Sequence, residues 1–173
     1  MRRSLDSLYQ SAGWLSAFCI LAISLLISAQ VLLNVGVRLS LPIPASIPSY
    51  GDFAGYLLAA STFLALAYTF RSGGHIRVSI VTANLPKRIR WIVELLVLAA
   101  AAAVIGYALF FLIDLVRSSI RFNDVSSGRV SIPLWIPQTV MCIGVALLEI
   151  AVLDTLVQTF RSKQPVIASG EEM

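Results

Sequence analysis

Charged residues are scarce in this chain of 173 residues: Asp, Glu, Lys and Arg make up 13%, against about a quarter in soluble domains. Apolar residues make up 58%, and the mean hydropathy is +0.85. This balance predicts an integral membrane protein. The formal net charge of +4 does not indicate nucleic-acid binding. The basic residues lie at the ends of apolar runs, where they set orientation in a membrane.

Cysteine and histidine are also rare. Cys19 and Cys142 each lie inside an apolar run, outside any C-x-x-C or metal-ligand spacing, and are interpreted as small buried hydrophobes. We expect them at different depths in the membrane, which argues against a disulfide and against a membrane disulfide enzyme with paired cysteines. His75 is the only histidine, so a metal site built on histidines is not predicted.

Four apolar runs are long enough to cross a membrane as helices, which requires about 20 residues each. The predicted spans are 12–38, 52–70, 91–116 and 133–160. The first is interpreted as a retained span rather than a cleaved signal peptide, because its apolar run is too long for a signal sequence. The predicted fold class is an all-α integral membrane protein with a single membrane domain, followed by a flexible tail at 161–173.

The distribution of Lys and Arg predicts the direction of the spans. Nine of these residues flank the side that holds both termini and the connection between spans two and three, and four flank the opposite side. Cytoplasmic flanks carry the excess of basic residues. Both termini are therefore predicted to be cytoplasmic.

The stretch FRSGGHIRVSI, at 70–80, follows the second span and contains His75. Arg71 complements the dipole at the end of its helix, and Gly73 or Gly74 suits the left-handed residue that closes a helix. A short interfacial helix is predicted next, because an isolated strand would leave backbone groups unpaired at a membrane. Without a neighbouring nucleophile or acid, His75 is interpreted as an interfacial or partner-facing residue, with catalysis the weaker alternative.

Several acidic residues lie in or beside the predicted spans, where charge is costly. Asp52 opens the second span, and Asp114 has Arg117 three residues further on, where the two are able to pair. Glu94 and Glu149 are expected at broadly similar depth, with only Glu149 deep enough to require a partner. Partner contact, internal pairing, an ion pathway or reach to the head groups stay open as explanations. Polar groups able to hydrogen-bond between helices are Gln30, Asn34 and Gln138.

Small residues form two faces suited to close helix packing. One consists of Gly51, Gly55 and Ala59, and the other of the alanines at 99–103 with Gly106. Such faces serve packing within the chain or the binding of another helix. No span has the unwound break, paired carboxylates or inverted repeat of a self-sufficient transporter, so the chain is interpreted as a subunit.

Two ordered segments carry a family resemblance. The first is GYLLAASTFLALAYTFRSGGHIRVSIV at 55–81, followed by LPKRIRWIVELL at 85–96. The second is SSGRVSIPLWIPQTVMCIGVALL at 126–148, with Pro133 and Trp135 in its IPLW. Together they resemble the small permease subunit, the DctQ-like family, of tripartite ATP-independent periplasmic (TRAP) transporters. The similarity extends over most of the chain, from about 14 to 160.

The resemblance implies a non-catalytic static scaffold for a large multi-helix permease. It further implies a sodium-driven symporter of organic anions, often carboxylates, delivered by a periplasmic binding protein. No cofactor is implied in this chain, and sodium ions are expected in the large subunit. The residues interpreted as partner-facing or structural are Asp52, Gly55, Arg71, Gly74, His75, Arg77, Glu94, Pro133, Trp135 and Glu149.

Two other functions stay open. One is a membrane adaptor or assembly protein. The other is a small proton- or cation-coupled transporter that uses Glu149 or Glu94. A four-helix drug exporter is disfavoured because the first span contains no carboxylate.

Overall fold

The computed structural model describes residues 2–72 and 86–162, which form four long helices. Each of the four is long and apolar enough to cross a membrane, so the predicted all-α class with four spans is confirmed. The predicted interfacial helix lies outside the described residues, together with Gly74, His75 and Arg77. The helices are α1 (Arg2–Arg38), α2 (Tyr50–Arg71), α3 (Lys87–Phe122) and α4 (Trp135–Ser162).

Two of the helices are longer than a membrane requires. α1 has 37 residues and α3 has 36; at about 1.5 Å per residue, both exceed a hydrocarbon core of roughly 30 Å. They must therefore tilt or project beyond the core. α3 continues past the predicted end at 116, because a helix need not end where the apolar residues do. It ends where Asn123 adopts a left-handed conformation, with φ 53°.

The helices pack in a row, in the order α1–α2–α4–α3. The last helix in the sequence therefore lies between the second and the third. α1 runs antiparallel to α2, and α3 antiparallel to α4, whereas α2 and α4 are parallel. The row is open, with α1 and α3 at its edges. Both edges expose large apolar side chains, such as Phe18 (65% exposed) and Phe110 (66% exposed), a surface suited to lipid or to other helices.

The two ends of the row are named here after one charged residue at each. The Arg71 end contains the starts of α1 and α3 and the ends of α2 and α4. The Asp52 end contains the opposite helix ends and the connections at 39–49 and 123–134. A core cluster near the Arg71 end is formed by Tyr9, Ala67 and Ala151, from three different helices. The two alanines let α2 and α4 approach closely on either side of the tyrosine.

Polar side chains shape both connections at the Asp52 end. Gln30 in α1 accepts a hydrogen bond from the Ile47 N–H at 2.8 Å and donates to Asn34 and to the Ala45 carbonyl. The expectation that Gln30 and Asn34 join helices is therefore wrong, because Gln30 binds Asn34 within its own helix and the connection at 39–49. The 123–134 connection folds back on itself through an isolated bridge between Val125 and Pro133.

Candidate functional site

α2 and α4 approach each other closely at Gly144. A Cβ built on Gly144 would lie 2.5 Å from the backbone carbonyl carbon and oxygen of Phe63. Real Cβ atoms do not come this close to backbone, so only glycine is compatible with the contact. α2 and α4 are therefore held at a fixed separation, which small side chains make possible.

The α1–α2 contact has a buried hydrogen bond at its middle. The Ser16 hydroxyl donates to the Ser61 carbonyl at 2.7 Å, and Ser16 is only 4% exposed. About one turn closer to the Arg71 end, Gly13 lies against the ring of Tyr68. A hydrogen bond between two helices within the membrane contributes about 0.6 kcal/mol on average and up to about 1–2 kcal/mol.

Arg71 joins three helices at the end of the row that bears its name. Its Nε donates to Asp6 Oδ1 in α1 at 3.4 Å, and its Nη1 lies 3.4 Å from Asp154 Oδ2 in α4. Gln158, one turn after Asp154, donates to the same carboxylate oxygen at 2.5 Å. The side chains of Arg71 and Asp6 are 29% and 52% exposed, so each ion pair contributes at most about 1 kcal/mol.

Tyr9 lies beneath the Arg71 ion pairs and is almost fully buried. Its hydroxyl is close enough to Asp154, Arg71 and Asp6 to interact with them electrostatically. Within residues 2–72 and 86–162 the hydroxyl has no hydrogen-bond partner. The Arg71 cluster therefore consists of one cation and two carboxylates above a buried phenol, on helices that meet at the same end of the row.

At the Asp52 end, side chains at the start of α2 contact the backbone of the connection at 123–134. Ser49 precedes α2 with a left-handed backbone (φ 54°), and its hydroxyl accepts a hydrogen bond from the Val130 N–H at 2.9 Å. Asp52 lies in the first turn of α2, where its charge complements the helix dipole. Its carboxylate lies directly against Gly128, where a side chain would collide with it. The sequence prediction that Asp52 opens the second span agrees with this position.

Pro133 and Trp135 shape the start of α4. Pro133 lies before the helix, in the bridge to Val125, rather than inside the span as predicted from 133. Its carbonyl accepts a hydrogen bond from the Ile136 N–H at 3.2 Å. Trp135 is the first residue of α4 and is partly exposed. A proline before the first turn supplies a carbonyl and removes a donor that would lack a partner.

Glu94 lies near the Arg71 end of the α3–α4 contact. The Thr159 hydroxyl is 3.5 Å from Glu94 Oε1, and the nearby Trp91 indole donates to the Thr159 carbonyl at 2.8 Å. Thr159 is fully buried. Glu94 therefore belongs to a polar contact that joins α3 to the end of α4.

Glu149 lies at the middle of α4 and is separated from Glu94 along the membrane normal. Its Oε1 would be 3.6 Å from a Cβ built on Gly106, near the middle of α3. Twelve residues of α3 lie between the level of Glu94 and that of Gly106, a rise of about 18 Å. The expectation that the two glutamates share a depth is therefore wrong. α3 and α4 are antiparallel. Residue numbers therefore increase away from the Arg71 end in α3 and toward it in α4.

Two acceptors on α4 have no hydrogen-bond donor among the described residues. Glu149 Oε2 and Gln138 Oε1 are buried without a hydrogen-bond partner among the described residues. Glu149 as a residue is half-buried, so part of its side chain faces the outside of the row. An unsatisfied buried polar group costs about 1–3 kcal/mol. The prediction that Glu149 requires a partner is consistent with this environment, and the chain itself does not provide one within residues 2–72 and 86–162.

The remaining predicted residues are not gathered into one site. Asp114 and Arg117, which the sequence places where they are able to pair, are both exposed and form no ion pair in the described structure. Gly55 and Gly51 face open space, since a Cβ on either would have nothing within 4 Å. Both cysteines are free. In the part of the chain that is described, no group of three or more His, Cys, Asp or Glu side chains could hold a metal ion.

Sequence reasoning missed three contributors: Asp6, Ser16 and Gly144. Asp6 precedes the first apolar run, and an antiparallel α1–α2 pair brings it level with Arg71. That pairing was a usable signal. Gly144 and Ala151 have the i, i+7 spacing of a small-residue face, which could have indicated the α2–α4 contact. The Ser16–Ser61 hydrogen bond had no signal, because a single serine in an apolar run has many possible partners.

Comparison with known proteins gave one family. The family described as "Tripartite ATP-independent periplasmic transporters, DctQ component" matches residues 23–162. The match covers α2, α3 and α4, and residues 23–38 of α1, which are less than half of that helix. Comparison with curated proteins gave no match, and neither did comparison with solved structures.

Proposed function

Because this chain belongs to the DctQ component family of tripartite ATP-independent periplasmic transporters, and is thus a small non-catalytic membrane subunit of such a transporter, we propose that it acts as a static scaffold for a large permease subunit. The observation that carries the proposal is the close contact between α2 and α4. Gly144 meets the backbone of Phe63 there, so the two helices pack backbone to backbone with no side chain between them at this point.

Both ends of the row support a fixed rather than a moving body. At the Arg71 end, one arginine bonds carboxylates on two other helices. At the Asp52 end, the connection at 123–134 binds Ser49 and packs against Asp52. Between them, the buried Ser16–Ser61 hydrogen bond fixes α1 on α2. A subunit of this kind broadens the stationary part of a transporter while the large subunit moves.

The proposed orientation places the Arg71 end at the cytoplasm of a bacterial inner membrane. The excess of Lys and Arg in the flanks at that end supports it. The proposed complex contains the large multi-helix permease and a periplasmic binding protein that delivers an organic anion, often a carboxylate. Sodium ions would bind in the large subunit and drive the symport, and this chain would hold no cofactor.

The first test is copurification of the tagged chain in mild detergent with its neighbouring genes coexpressed. A stoichiometric large polytopic partner, identified by mass spectrometry, is the expected result. A chain that purifies only by itself, or only as a homo-oligomer, would contradict the scaffold proposal.

The second test asks whether the scaffold must move. Cysteines at Ser16 and Ser61, in a background with Cys19→Ser and Cys142→Ser, are oxidised to a disulfide that locks α1 to α2. Uptake by the complex in proteoliposomes is expected to be the same before oxidation, after oxidation and after reduction. A mobility shift on a non-reducing gel verifies the bond. Uptake that stops on oxidation and returns on reduction would show that this subunit moves.

A further inference from the structure

The open side of the α3–α4 contact combines a row of small residues with an unsatisfied carboxyl group. Ala99, Ala103 and Gly106 follow one another at i, i+4 and i+7, so they line one stripe of α3. The two alanines are exposed, and Gly106 is half-buried beside Glu149. Because these residues are small, a further helix can approach the α3 backbone closely along this stripe.

Glu149 supplies the polar part of the same surface. Its Oε2 is buried without a donor in the described part of the chain, although the residue is only half-buried. The terminal torsion of a glutamate is soft, so either oxygen can turn to the outside of the row. Gln138 lies eleven residues before Glu149 on the same stripe of α4. Its Oε1 is a second acceptor without a donor among the described residues.

The depth of Glu149 decides what can satisfy it. Glu149 lies at the middle of α4, and Gly106 lies near the middle of α3. In a bilayer this level is occupied by acyl chains, which carry no hydrogen-bond donors, and water is scarce there. A donor at this depth therefore has to come from another membrane-spanning segment.

We infer that the stripe Ala99–Ala103–Gly106 and the carboxyl group of Glu149 form the docking surface for one transmembrane helix of the large permease subunit, which donates a hydrogen bond to Glu149. The inference rests on the proposed function for the identity of the partner. The surface lies at the α3 edge of the row, so the large subunit continues the row beyond α3, and the α1 edge faces lipid.

Substitution at Glu149 tests the donor. Glu149→Leu is expected to lower the amount of permease retained on the tagged subunit by about threefold to tenfold, the loss expected for one hydrogen bond between helices in a membrane. Glu149→Gln keeps an acceptor oxygen of the same reach and is expected to retain an intermediate amount. Retention equal to wild type for Glu149→Leu would overturn the inference.

Photo-cross-linking tests the surface without removing any group from it. A photoreactive phenylalanine analogue replaces Phe110, one turn beyond Gly106, or Phe18 at the α1 edge, which is exposed to the same extent. Phe110 is expected to cross-link to the permease in higher yield than Phe18. Equal yields, or cross-links from Phe110 only to lipid or to a second copy of this chain, would overturn the inference.

The two failures are distinguishable. Suppose that wild-type chain copurifies with the permease, that Glu149→Leu retains as much permease as wild type, and that Phe110 cross-links no more than Phe18. The scaffold function then stands and the docking surface is elsewhere. If wild-type chain captures no permease, the proposed function itself fails. Thermal unfolding of each isolated variant in detergent shows whether lost retention reflects a misfolded subunit, and in that case the Phe110 and Phe18 yields decide.

Discussion

α4 makes two lateral contacts, and each contains a glycine for a different reason. Against α2, Gly144 allows backbone to touch backbone, because nothing but a hydrogen atom fits beside the Phe63 carbonyl. Against α3, Gly106 leaves room at ordinary contact distance for the carboxyl group of Glu149. The first contact is complete within the chain, whereas the second holds a polar group without a donor in the described residues. Glycine thus allows tight packing of α4 against α2 at Gly144, whereas at Gly106 it leaves space for a polar side chain between α4 and α3.

Among substitutions at these contacts, replacement of Gly144 should lower the free energy of unfolding the most. In Gly144→Ala the new Cβ collides with the Phe63 backbone, which cannot move unless α2 and α4 separate. We expect a loss of about 1–3 kcal/mol in the free energy of unfolding, the range for overpacking a close contact. Thermal unfolding in detergent measures it.

Gly55→Ala is the matched control for that experiment. Gly55 lies in α2 with open space around its Cβ direction, so the same change of glycine to alanine should leave stability unchanged or slightly raised. A Gly144→Ala variant as stable as the Gly55→Ala variant would show that α2 and α4 are not held at the described separation.

Removing the positive charge of Arg71 should lower the free energy of unfolding by less than Gly144→Ala does. Arg71→Met breaks the ion pairs to Asp6 and Asp154, but partial exposure limits the expected loss to about 1 kcal/mol or less. The measured unfolding temperature should fall with added salt in the wild type and respond less in the variant. Arg117→Met is the control, since Arg117 is exposed and has no ion pair in the described chain. Identical salt responses in all three proteins would contradict a stabilising role for the cluster.

Replacing Gly106 should have the smallest effect. A Cβ at this position would lie 3.6 Å from Glu149 Oε1, an ordinary contact, so Gly106→Ala is expected to change the free energy of unfolding by about 0.5 kcal/mol or less. The same thermal measurement checks it. A loss as large as that of Gly144→Ala would erase the distinction between the two contacts of α4.

The sequence was sufficient for the fold class, the four spans and the family, because hydropathy and ordered motifs are local or linear signals. It was also sufficient to single out Arg71 and Glu149, since isolated charge near or inside an apolar run stands out. The order of the helices in the row was not predictable, because all four runs are apolar on every side. Without that order, Asp154 could not be assigned to Arg71, nor Glu149 to Gly106.

The depth error for Glu94 and Glu149 has a different origin. The predicted spans 91–116 and 133–160 already place Glu94 three residues and Glu149 eleven residues from the same end of the row, so the assignment of both to a similar depth was too coarse. The contacts of Thr159 with Glu94 and of Gly106 with Glu149 correct the depth directly.

The position of α4 between α2 and α3 has a consequence for how the protein is made. During synthesis α3 emerges before α4, when the helix that separates it from α2 in the finished row does not yet exist. α3 is therefore synthesised before its main neighbour. Of the four described helices, α4 is the last to be synthesised, and it is the one that joins the two halves of the row.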